Sequence, residues 1–553
     1  MQRVPLLLSL RGAAGAAAIA WIATPTCSTG RLPRLALSLH CVQGQGHGSQ
    51  RQGKQASAAS ALNLLLLPSI IVLTPLVGGT GWRQRVNPST VDQLTPLFYP
   101  KSIALVGISS TATNVAYMFL LSLMDSGFPN IYPVNPKGGE LAGVKVYPSI
   151  RDIPGEIDLA LLTVPREAVP GIMRECADKH VKGVVLYAAG YSEMGPEGRK
   201  LEQEIVRIAH AGGTRVVGPN CVGTFNPSAR LVPQFILPKQ SGPVGVISHS
   251  GFLFYYLLMT IASRGLNPSK GVSCGSDCDL TCVDFLEYLG QDPETKVIAA
   301  YLEGIRDGER LLRVARDVSS RKPVIVLKGG NTDVGRRASA SHTGTLAVST
   351  ATWSALCRQT GILSVGSFEQ MMDALVALHH LPRPRGKRVG IITTPGGLAV
   401  TAVDACSELG LEVPLLSTAT SRQLAGVAES LGTSVNNPVD LGLVAALAPV
   451  QYIKPAIGLV GRDPNVDMLL VAFTGPPGDD DVRDRQVADL LLAEIAASGK
   501  PTVICGATPV GWPRGELRFL EKSSVPVYPE PRRAAYALSK VAEYAEFLRS
   551  IGS

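Results

Sequence analysis

Residues 158–190 read DLALLTVPREAVPGIMRECADKHVKGVVLYAAG, and this stretch decides the fold. Two short apolar runs, DLALLTVP and GVVLYAAG, enclose a longer segment with helical spacing. Strands that are apolar throughout are buried on both faces of a sheet, and the segment between these two is long enough to cross over as a helix. The stretch therefore predicts a strand, a helix and a second strand parallel to the first.

The same alternation covers the chain from Leu94 onward. It restarts near residue 225 and again after the proline-rich, basic segment LPRPRGK at 381–387, which we interpret as a linker. Such alternation is typical of parallel sheets covered by helices. We predict an α/β fold with three consecutive domains, at 93–224, 225–383 and 384–553. The further strands are predicted in SIALVG (102–107), NIYPVNP (130–136), TRVVGPN (214–220), GPVGVISHSGF (242–252), GLNPSKGVSCG (265–275), KVIAAYLEG (296–304), KPVIVLKGG (322–330), RVGIITTPGG (388–397), DMLLVAFTG (467–475), PTVICGA (501–507) and VPVYPEP (525–531).

The positive charge of the chain is concentrated at its start. The formal net charge is +8, and residues 1–91 contain eight basic residues and no Asp or Glu. Without those eight, the remaining 44 basic residues balance the 44 acidic ones. A neutral body argues against nucleic-acid binding, and we expect no nucleic-acid partner.

Residues 1–92 form a basic leader, free of acidic residues up to Asp92, whose composition is typical of an organelle transit peptide. Its apolar run at 61–77 is broken by Pro68 and Pro75 and is shorter than the roughly 20 apolar residues of a membrane span. A disordered tail, a wrongly chosen start and a membrane anchor remain as alternatives. We expect a cytoplasmic protein, or a mitochondrial or other organellar matrix protein if the leader is a transit peptide.

The ten cysteines follow neither a zinc-ligand spacing nor a disulfide framework. Cys274, Cys278 and Cys282 are four residues apart and would share a face if they were helical. However, the segment SCGSDCDLTC has the Gly, Ser and Asp of a loop. We therefore predict no metal site.

Turns of small residues follow several predicted strands and open helices: VGISS (106–110), ISHSG (247–251) and TTPGG (393–397). A helix N-terminus offers unpaired backbone N–H groups and the positive end of the helix dipole, which suits an anion such as phosphate. None of these turns has the GxGxxG spacing of a nicotinamide site.

Two of the eight histidines, His249 and His342, are candidates for chemistry near neutral pH. His342 lies in RRASASHTGTLAVS (336–349), which we predict to be a loop of small and hydroxylated residues without an apolar anchor. A histidine of this kind is either solvated or functional. The other six lie in the leader, in helical patterns or at the end of a helix: His40, His47, His180, His210, His379 and His380.

Seven motifs follow one another along the chain from Leu94 to the C-terminus: LFYPKSIALVG (97–107), IYPVNPK (131–137), GPNCVG (218–223), SHSG (248–251), DFLEYLGQDPETKVIAAYLEG (284–304), SHTGTLA (341–347) and NPVDLG (437–442). With these motifs in family order, the chain resembles the α subunit of ADP-forming acyl-CoA synthetases (acetate–CoA ligases), relatives of succinyl-CoA synthetase. The resemblance implies a Rossmann-like CoA-binding domain followed by two flavodoxin-like domains.

The resemblance implies a three-step reaction that can run in either direction. Acyl-CoA and phosphate give an acyl phosphate and CoA, the phosphoryl group moves to a histidine, and ADP then receives it. The phosphorylated histidine corresponds to His342 and its acidic partner to Glu303. Ser248, Ser250 and Gly251 correspond to the helix N-terminus that binds phosphate.

The CoA site that the resemblance implies lies in the first domain. Its residues follow successive strands: Gly107, Ser109, Asn135, Lys137, Val164, Pro165 and Asn220. Lys137 can meet a CoA phosphate and Pro165 can form a wall for the adenine, whereas the alternative for Asn135 and Pro136 is an ordinary turn.

Three segments depart from the family pattern. The first turn reads GISS where GASR is usual, so a basic side chain near the CoA phosphates is missing. SCGSDCDL replaces a pattern nearer to SLGNKADV, and TTPGG stands where TNAGG is common. His249 occupies a position where Gln or Arg is usual, and we interpret it as a spectator.

In the family, nucleotide chemistry belongs to an ATP-grasp module, and the end of this chain resembles the close of the third domain. We therefore expect ATP or ADP and Mg²⁺ to be bound by a separate ATP-grasp β-type subunit, and the small carboxylic acid and CoA to be the other partners. The alternative function is a CoA-binding sensor or scaffold without turnover, and a nicotinamide dehydrogenase has little support from the turns.

Overall fold

The computed structural model describes the backbone of residues 88–552 except 112, 344–347, 395, 429–433, 475–479 and 509–513, and it describes the side chains of the same residues except 88, 89 and 340–343. Most of the predicted leader lies outside the described residues. Helix α1 (Pro88–Phe98) begins inside the stretch that we assigned to the leader. Leu94, Leu97 and Phe98 on this helix are fully buried, and Val91 packs against the same core, so the helix crosses the boundary that composition indicated.

The first sheet has five parallel strands in the order β2-β1-β5-β6-β7. Its central strands are buried at every position because helices cover both faces. A small antiparallel hairpin of β3 and β4, which the sequence did not reveal, follows β2. The strands are β1 (Ile103–Val106), β2 (Ile131–Val134), β3 (Gly139–Leu141), β4 (Val144–Val146), β5 (Leu159–Leu162), β6 (Gly183–Leu186) and β7 (Arg215–Val217); the helices are α2 (Val115–Asp125), α3 (Val169–Asp178) and α4 (Pro196–Ala211).

The second sheet has six strands in the order β13-β12-β11-β9-β10-β8, all parallel except the edge strand β8. The edge strands β8 and β13, which the sequence analysis did not predict, have three residues each. The strands are β8 (Gly223–Phe225), β9 (Val244–Ser248), β10 (Pro268–Ser273), β11 (Val297–Leu302), β12 (Val324–Lys328) and β13 (Leu363–Val365); the helices are α5 (Gly251–Ser263), α6 (Cys282–Gln291), α7 (Gly308–Ser319), α8 (Asp333–Thr343), α9 (Thr350–Thr360) and α10 (Phe368–His380).

The third sheet has five parallel strands in the order β15-β14-β16-β17-β18. Among the described helices, none combines the length and the apolar character that a membrane crossing demands. The strands are β14 (Val389–Thr393), β15 (Val439–Asp440), β16 (Met468–Phe473), β17 (Thr502–Gly506) and β18 (Val527–Tyr528); the helices are α11 (Gly396–Glu408), α12 (Thr418–Ala428), α13 (Ile453–Arg462), α14 (Asp481–Ser498), α15 (Leu517–Leu520) and α16 (Pro531–Ser550).

Helix α16 ties the third sheet back to the second. Tyr544 and Leu548 on α16 pack in the hydrophobic core beneath β9 and β12, and the Tyr544 hydroxyl donates to the carbonyl of Ser319 at 3.0 Å. Arg533, in the first turn of α16, binds the buried carboxylate of Asp373 on α10 through two hydrogen bonds of 2.6 and 2.8 Å. The fold class that the sequence predicts is confirmed, since each predicted strand is present.

Candidate active site

The carboxyl ends of four neighbouring strands in the second sheet form one edge. Ser248 at the end of β9 lies opposite Tyr301 of β11, and Leu302 of β11 lies opposite Lys328 of β12. Parallel strands end at the same edge of a sheet, and ligands bind there in open α/β folds. The SHSG turn, Glu303 and Lys328 therefore meet at this edge, which is where the sequence predicts the phosphoryl chemistry.

The SHSG turn is built by its own serines. Ser248 donates its hydroxyl to the carbonyl of Ser250 at 2.8 Å and accepts from the backbone N–H of Ser250 at 3.2 Å. Ser250 caps helix α5 by accepting from the N–H of Leu253 at 3.4 Å. Both hydroxyls thus brace the turn. The N–H groups of Gly251 and Phe252, in the first turn of α5, have no acceptor within the helix and are the groups that an anion would meet.

Glu303 follows β11 and is only 5% exposed. Its backbone is held on both sides: its N–H donates to Nδ1 of His249 at 3.0 Å, and its carbonyl accepts from the hydroxyl of Ser339 at 3.2 Å. Burial and the neighbouring Glu303 raise the pKa of the Tyr301 phenol. The strand end that carries the predicted acidic partner is therefore fixed by contacts from two other elements.

The segment that carries His342 is a helix, so the prediction of a loop over 336–349 is wrong for residues 336–343, whereas residues 344–347 lie outside the described residues. Helix α8 begins at Asp333 and ends at Thr343, and Thr332 caps it by accepting from the N–H of Gly335 at 3.0 Å. Asp333 in the first turn complements the helix dipole, and Ala and Arg are strong helix formers. The absence of an apolar anchor misled the sequence analysis, because a polar contact, that of Ser339, anchors the helix.

His342 lies in the last turn of α8. Its side chain, and residues 344–347 that follow the helix, lie outside the described residues. The backbone nevertheless gives its position relative to Ser339, three residues earlier and thus about one helical turn away. The helix therefore brings the predicted phosphohistidine and Glu303 to the same edge of the sheet.

Two further residues at this edge were given no role on the basis of the sequence. His249, which we interpreted as a spectator, is 4% exposed, and its Nε2 lies 3.1 Å from a carboxylate oxygen of Asp277. Lys328 is buried at the end of β12, where its amine donates to the carbonyls of Gly329 and Gly330 at 3.0 and 3.3 Å. Burial lowers the pKa of Lys328, and Arg336 lowers it further. The signal available in the sequence was the position of Lys328 at the end of an apolar strand, in KPVIVLKGG.

The first-domain residues gather at the carboxyl edge of their own sheet. Gly107 has φ +92°, and a Cβ at this position would lie 2.8 Å from Cγ1 of Val164. The amide of Asn135 donates to the carbonyl of Ile108 at 2.8 Å, and its oxygen accepts from the N–H of Lys137 at 2.9 Å. Asn135 thus braces the turn, which favours the ordinary-turn alternative for its side chain.

The side chains of Lys137 and Pro165 are exposed at this edge, and Ser109 is half-buried. Ser110, which stands in place of the usual arginine of the first turn, is also exposed. Lys137 is the positively charged residue among those predicted to bind CoA, and its exposed side chain can reach a ligand phosphate.

The loop at 274–281 connects the two edges. Asn220 has φ +56° and follows the cis peptide bond between Gly218 and Pro219. The N–H of Ser276 donates to the carbonyl of Pro219 at 3.0 Å, and that of Cys278 donates to Gly218 at 2.9 Å. The same loop carries Asp277, the partner of His249. The segment SCGSDCDL is a loop, as predicted. It joins the end of the first sheet to the edge of the second sheet where the SHSG turn, Glu303 and Lys328 meet.

Among the described residues, His249, Cys274 and Asp277 form a buried group whose ligand atoms lie within 4.8 Å of one another. A metal-bound histidine normally donates its other ring N–H to an acceptor, but here that nitrogen faces the N–H of Glu303. Burial and Asp277 also raise the pKa of the Cys274 thiol well above its usual value, whereas metal binding needs a thiolate. The group is built for hydrogen bonding rather than for coordination.

Comparison with known proteins agrees with this geometry. The CoA binding domain family matches residues 101–227, and the family described as succinyl-CoA ligase like flavodoxin domain matches residues 241–378. The chain is 37% identical over 452 residues to the α subunit of acetate–CoA ligase [ADP-forming] II of Pyrococcus furiosus, which covers 81% of this chain and 97% of that relative. It is 35% identical over 454 residues to acetate–CoA ligase [ADP-forming] I of Archaeoglobus fulgidus, covering 81% of this chain and 63% of that relative.

A solved structure is also similar. The dinucleotide forming acetyl-coenzyme A synthetase 1 of Ca. Korarchaeum cryptofilum, in complex with phosphate and ADP, has a TM-score of 0.73 and 34% identity, and the match covers 83% of this chain and 99% of that chain. Fold, site and similarity together define an acid–thiol ligase that contains a CoA-binding domain. The chain belongs to the family of α subunits of ADP-forming acetate–CoA ligases, and the resemblance found in the sequence is confirmed.

Proposed function

We propose that this chain is the CoA-binding, phosphohistidine-carrying subunit of an NDP-forming acyl-CoA synthetase, and that His342 carries the phosphoryl group. The observation that carries the proposal is the hydrogen bond of 3.2 Å from Ser339 to the backbone of Glu303. This bond holds the helix of the candidate nucleophile against the strand end of its candidate acidic partner.

The proposed reaction has three steps. An oxygen of phosphate attacks the acyl carbon of acyl-CoA, and the C–S bond breaks to release the CoA thiolate, which takes a proton. A ring nitrogen of His342 then attacks the phosphorus of the acyl phosphate, and the P–O bond to the carboxylate breaks. Finally, a terminal oxygen of ADP attacks the same phosphorus, and the P–N bond breaks to give ATP and free histidine.

The chain's own groups supply orientation and charge for the second step. Attack by His342 needs a neutral imidazole with its lone pair aimed at phosphorus, and a carboxylate that accepts from the other ring nitrogen fixes this orientation. We assign that role to Glu303. The N–H groups at the start of helix α5 and the buried amine of Lys328 stabilise the anionic phosphoryl group as it moves.

We propose that CoA binds at the carboxyl edge of the first sheet. Gly107 lets the ligand approach the backbone, Lys137 meets a CoA phosphate, and Pro165 lies against the adenine, with Ser109, Asn135, Val164 and Asn220 completing the walls. Calorimetric titration tests this assignment: Lys137→Ala weakens CoA binding, while Lys200→Ala on the exposed surface of α4 does not. Equal affinity of the two variants would remove Lys137 from the site.

Nucleotide binding is assigned to a separate partner of ATP-grasp type, which would supply ATP or ADP and Mg²⁺. The relative named as an α subunit is covered over 97% of its length, whereas the Archaeoglobus relative is covered over 63% and extends beyond the matched part. A complex of two kinds of chain is therefore the proposed functional unit. Purification of a tagged chain followed by mass spectrometry identifies the partner.

The decisive experiment incubates this chain and its ATP-grasp partner with γ-labelled ATP. An acid-labile label on the wild-type chain that disappears in His342→Ala supports the enzyme, and a non-catalytic CoA sensor gives no label at all. His180→Asn is the matched control, since His180 is exposed with φ +54°, a conformation that Asn tolerates. It retains the label.

The proposed compartment is the cytoplasm, or an organellar matrix if residues 1–92 act as a transit peptide. A fluorescent protein fused behind residues 1–92 distinguishes the two compartments by microscopy, with the fusion to residues 93–553 as its control.

A further inference from the structure

His249 and Asp277 form a buried pair directly beneath Glu303. His249 lies in the turn between β9 and α5, and Asp277 lies in the loop between β10 and α6. Their side chains are 3% and 4% exposed, and His249 Nε2 is 3.1 Å from Asp277 Oδ2. The same carboxylate oxygen accepts from the backbone N–H of Cys282 at 3.1 Å, which fixes its position at the start of α6.

The hydrogen bonds determine which ring nitrogen carries the proton. Because the N–H of Glu303 donates to Nδ1 of His249, Nδ1 must present a lone pair. The single proton of the neutral ring is therefore on Nε2, where it is donated to Asp277. A second proton on Nδ1 would face the N–H of Glu303 and break this contact, although, against the opposing effect of burial, Asp277 and Glu303 raise the pKa of His249.

The pair acts on Glu303 through the imidazole ring. Imidazole is rigid and planar, so fixing Nε2 against Asp277 also fixes the direction of Nδ1. This direction sets the position of the Glu303 N–H, while Ser339 holds the carbonyl of the same residue. The backbone of Glu303 is thus clamped between the SHSG turn and the helix that carries His342.

We propose that His249 and Asp277 are positioning residues that hold Glu303 in the orientation required for phosphoryl transfer to His342. The inference rests on the function proposed above and deepens it. Neither residue touches the reacting atoms. A displacement of a positioning group by about 1 Å can cost about a hundredfold in rate, so loss of the clamp has a measurable effect.

The test uses the complex with the ATP-grasp partner and measures the initial rate of acid-labile phosphorylation of His342 from labelled ATP. His249→Leu keeps apolar bulk but removes both hydrogen bonds, and we expect the rate to fall at least about tenfold while CoA affinity stays within about twofold. His249→Gln offers a neighbouring acceptor and donor on one planar amide, and we expect it to restore the rate to within about threefold of wild type.

A double-mutant cycle separates positioning from general stabilisation. If His249 acts through the Glu303 side chain, His249→Leu has little further effect in a Glu303→Gln background, because the group that it positions is already altered. A merely structural role slows both backgrounds by the same factor. Asp277→Gly removes the acceptor while tolerating the positive φ of 55° at this position, and it provides the same cycle if His249→Leu does not fold.

The outcomes are distinguishable. Absence of label on the wild-type chain overturns the proposed function and the inference with it. Normal labelling of wild type with an equal rate in His249→Leu, or additive effects in the cycle, overturns the positioning role alone. Ser364→Ala is the matched control, since it removes a hydrogen bond of 2.9 Å from Trp353 at the far edge of the same sheet and keeps the wild-type rate.

Discussion

Ser339 donates its hydroxyl to the backbone carbonyl of Glu303 at 3.2 Å, across 36 residues of sequence. Ser339 is 7% exposed, so the bond is largely shielded from water. It anchors helix α8 to the end of β11, three residues before His342. The contact helps to dock α8, a helix that consists largely of small and polar residues, on the sheet.

Removing this contact should affect phosphorylation more than stability. A neutral hydrogen bond contributes about 0.5–1.5 kcal/mol, so we expect Ser339→Ala to lower the rate of His342 phosphorylation by roughly twofold to tenfold. Ser349→Ala is the control, because Ser349 caps the next helix by accepting from the N–H of Thr352 at 3.1 Å. It should lower the melting temperature and leave the rate unchanged; a slower rate in both variants would contradict the anchor role.

Gly107 and Gly155 provide a matched pair in the first domain. Both have positive φ, +92° and +76°, but a Cβ would lie 2.8 Å from Val164 at Gly107 and would meet nothing within 4 Å at Gly155. Each Ala substitution costs about 1–2 kcal/mol of backbone strain. We expect Gly107→Ala alone to weaken CoA binding about tenfold or more in calorimetric titration, since it also displaces the wall of the cleft. Similar losses in both variants would argue against a ligand at this turn.

Arg533 and Arg532 test the connection between the second and third sheets. Arg533 binds the buried carboxylate of Asp373, whereas Arg532 pairs with Glu408 on the surface. Removing one partner of a buried pair leaves an uncompensated charge, so we expect Arg533→Ala to lower the free energy of unfolding by about 3 kcal/mol. Arg532→Ala should cost about 1 kcal/mol or less. Thermal unfolding measures both, and equal shifts would show that the α16 contact contributes no special stability.

Glu516 makes the stability of the third domain dependent on pH. It is 1% exposed, and burial, with a contribution from Asp484, raises its pKa to about 7. Because the folded state holds a proton that the unfolded state releases between the ordinary pKa and about 7, stability increases as pH falls from 8 towards 5. We expect Glu516→Gln to raise the melting temperature at pH 8 and to lose this advantage near pH 5. The exposed Glu140→Gln should show no such dependence, and a flat wild-type profile would contradict the assignment.

The strands of this protein could be predicted because parallel strands buried on both faces leave unbroken apolar runs in the sequence. The short strands β8, β13 and β15 were not predicted, although the equally short β7 and β18 were predicted from the longer segments that contain them. The start of α1 was also missed. The end of the leader was drawn from the distribution of charge, whereas the burial of Leu94 and Leu97 depends on packing partners far along the chain.

The site divides in the same way. The order of the motifs indicated the family and the candidates His342 and Glu303. The helix at His342 was not predicted, because helix α8 is anchored by the hydrogen bond from Ser339 to Glu303, 36 positions away. His249 was interpreted as a spectator because it occupies a position where Gln or Arg is usual in the family. Its partners, Asp277 and Glu303, are 28 and 54 residues distant and become visible only when the strand ends meet.

The α/β class and the alternation of strands and helices follow from the sequence alone, because they depend on local periodicity, and the resemblance of its motifs indicated the family. Tertiary structure alone decided which serine anchors α8, which tautomer His249 adopts and which hydroxyls of the SHSG turn are already used. Those features depend on directional hydrogen bonds between groups that are far apart in the chain, and such bonds leave no periodic trace in the sequence.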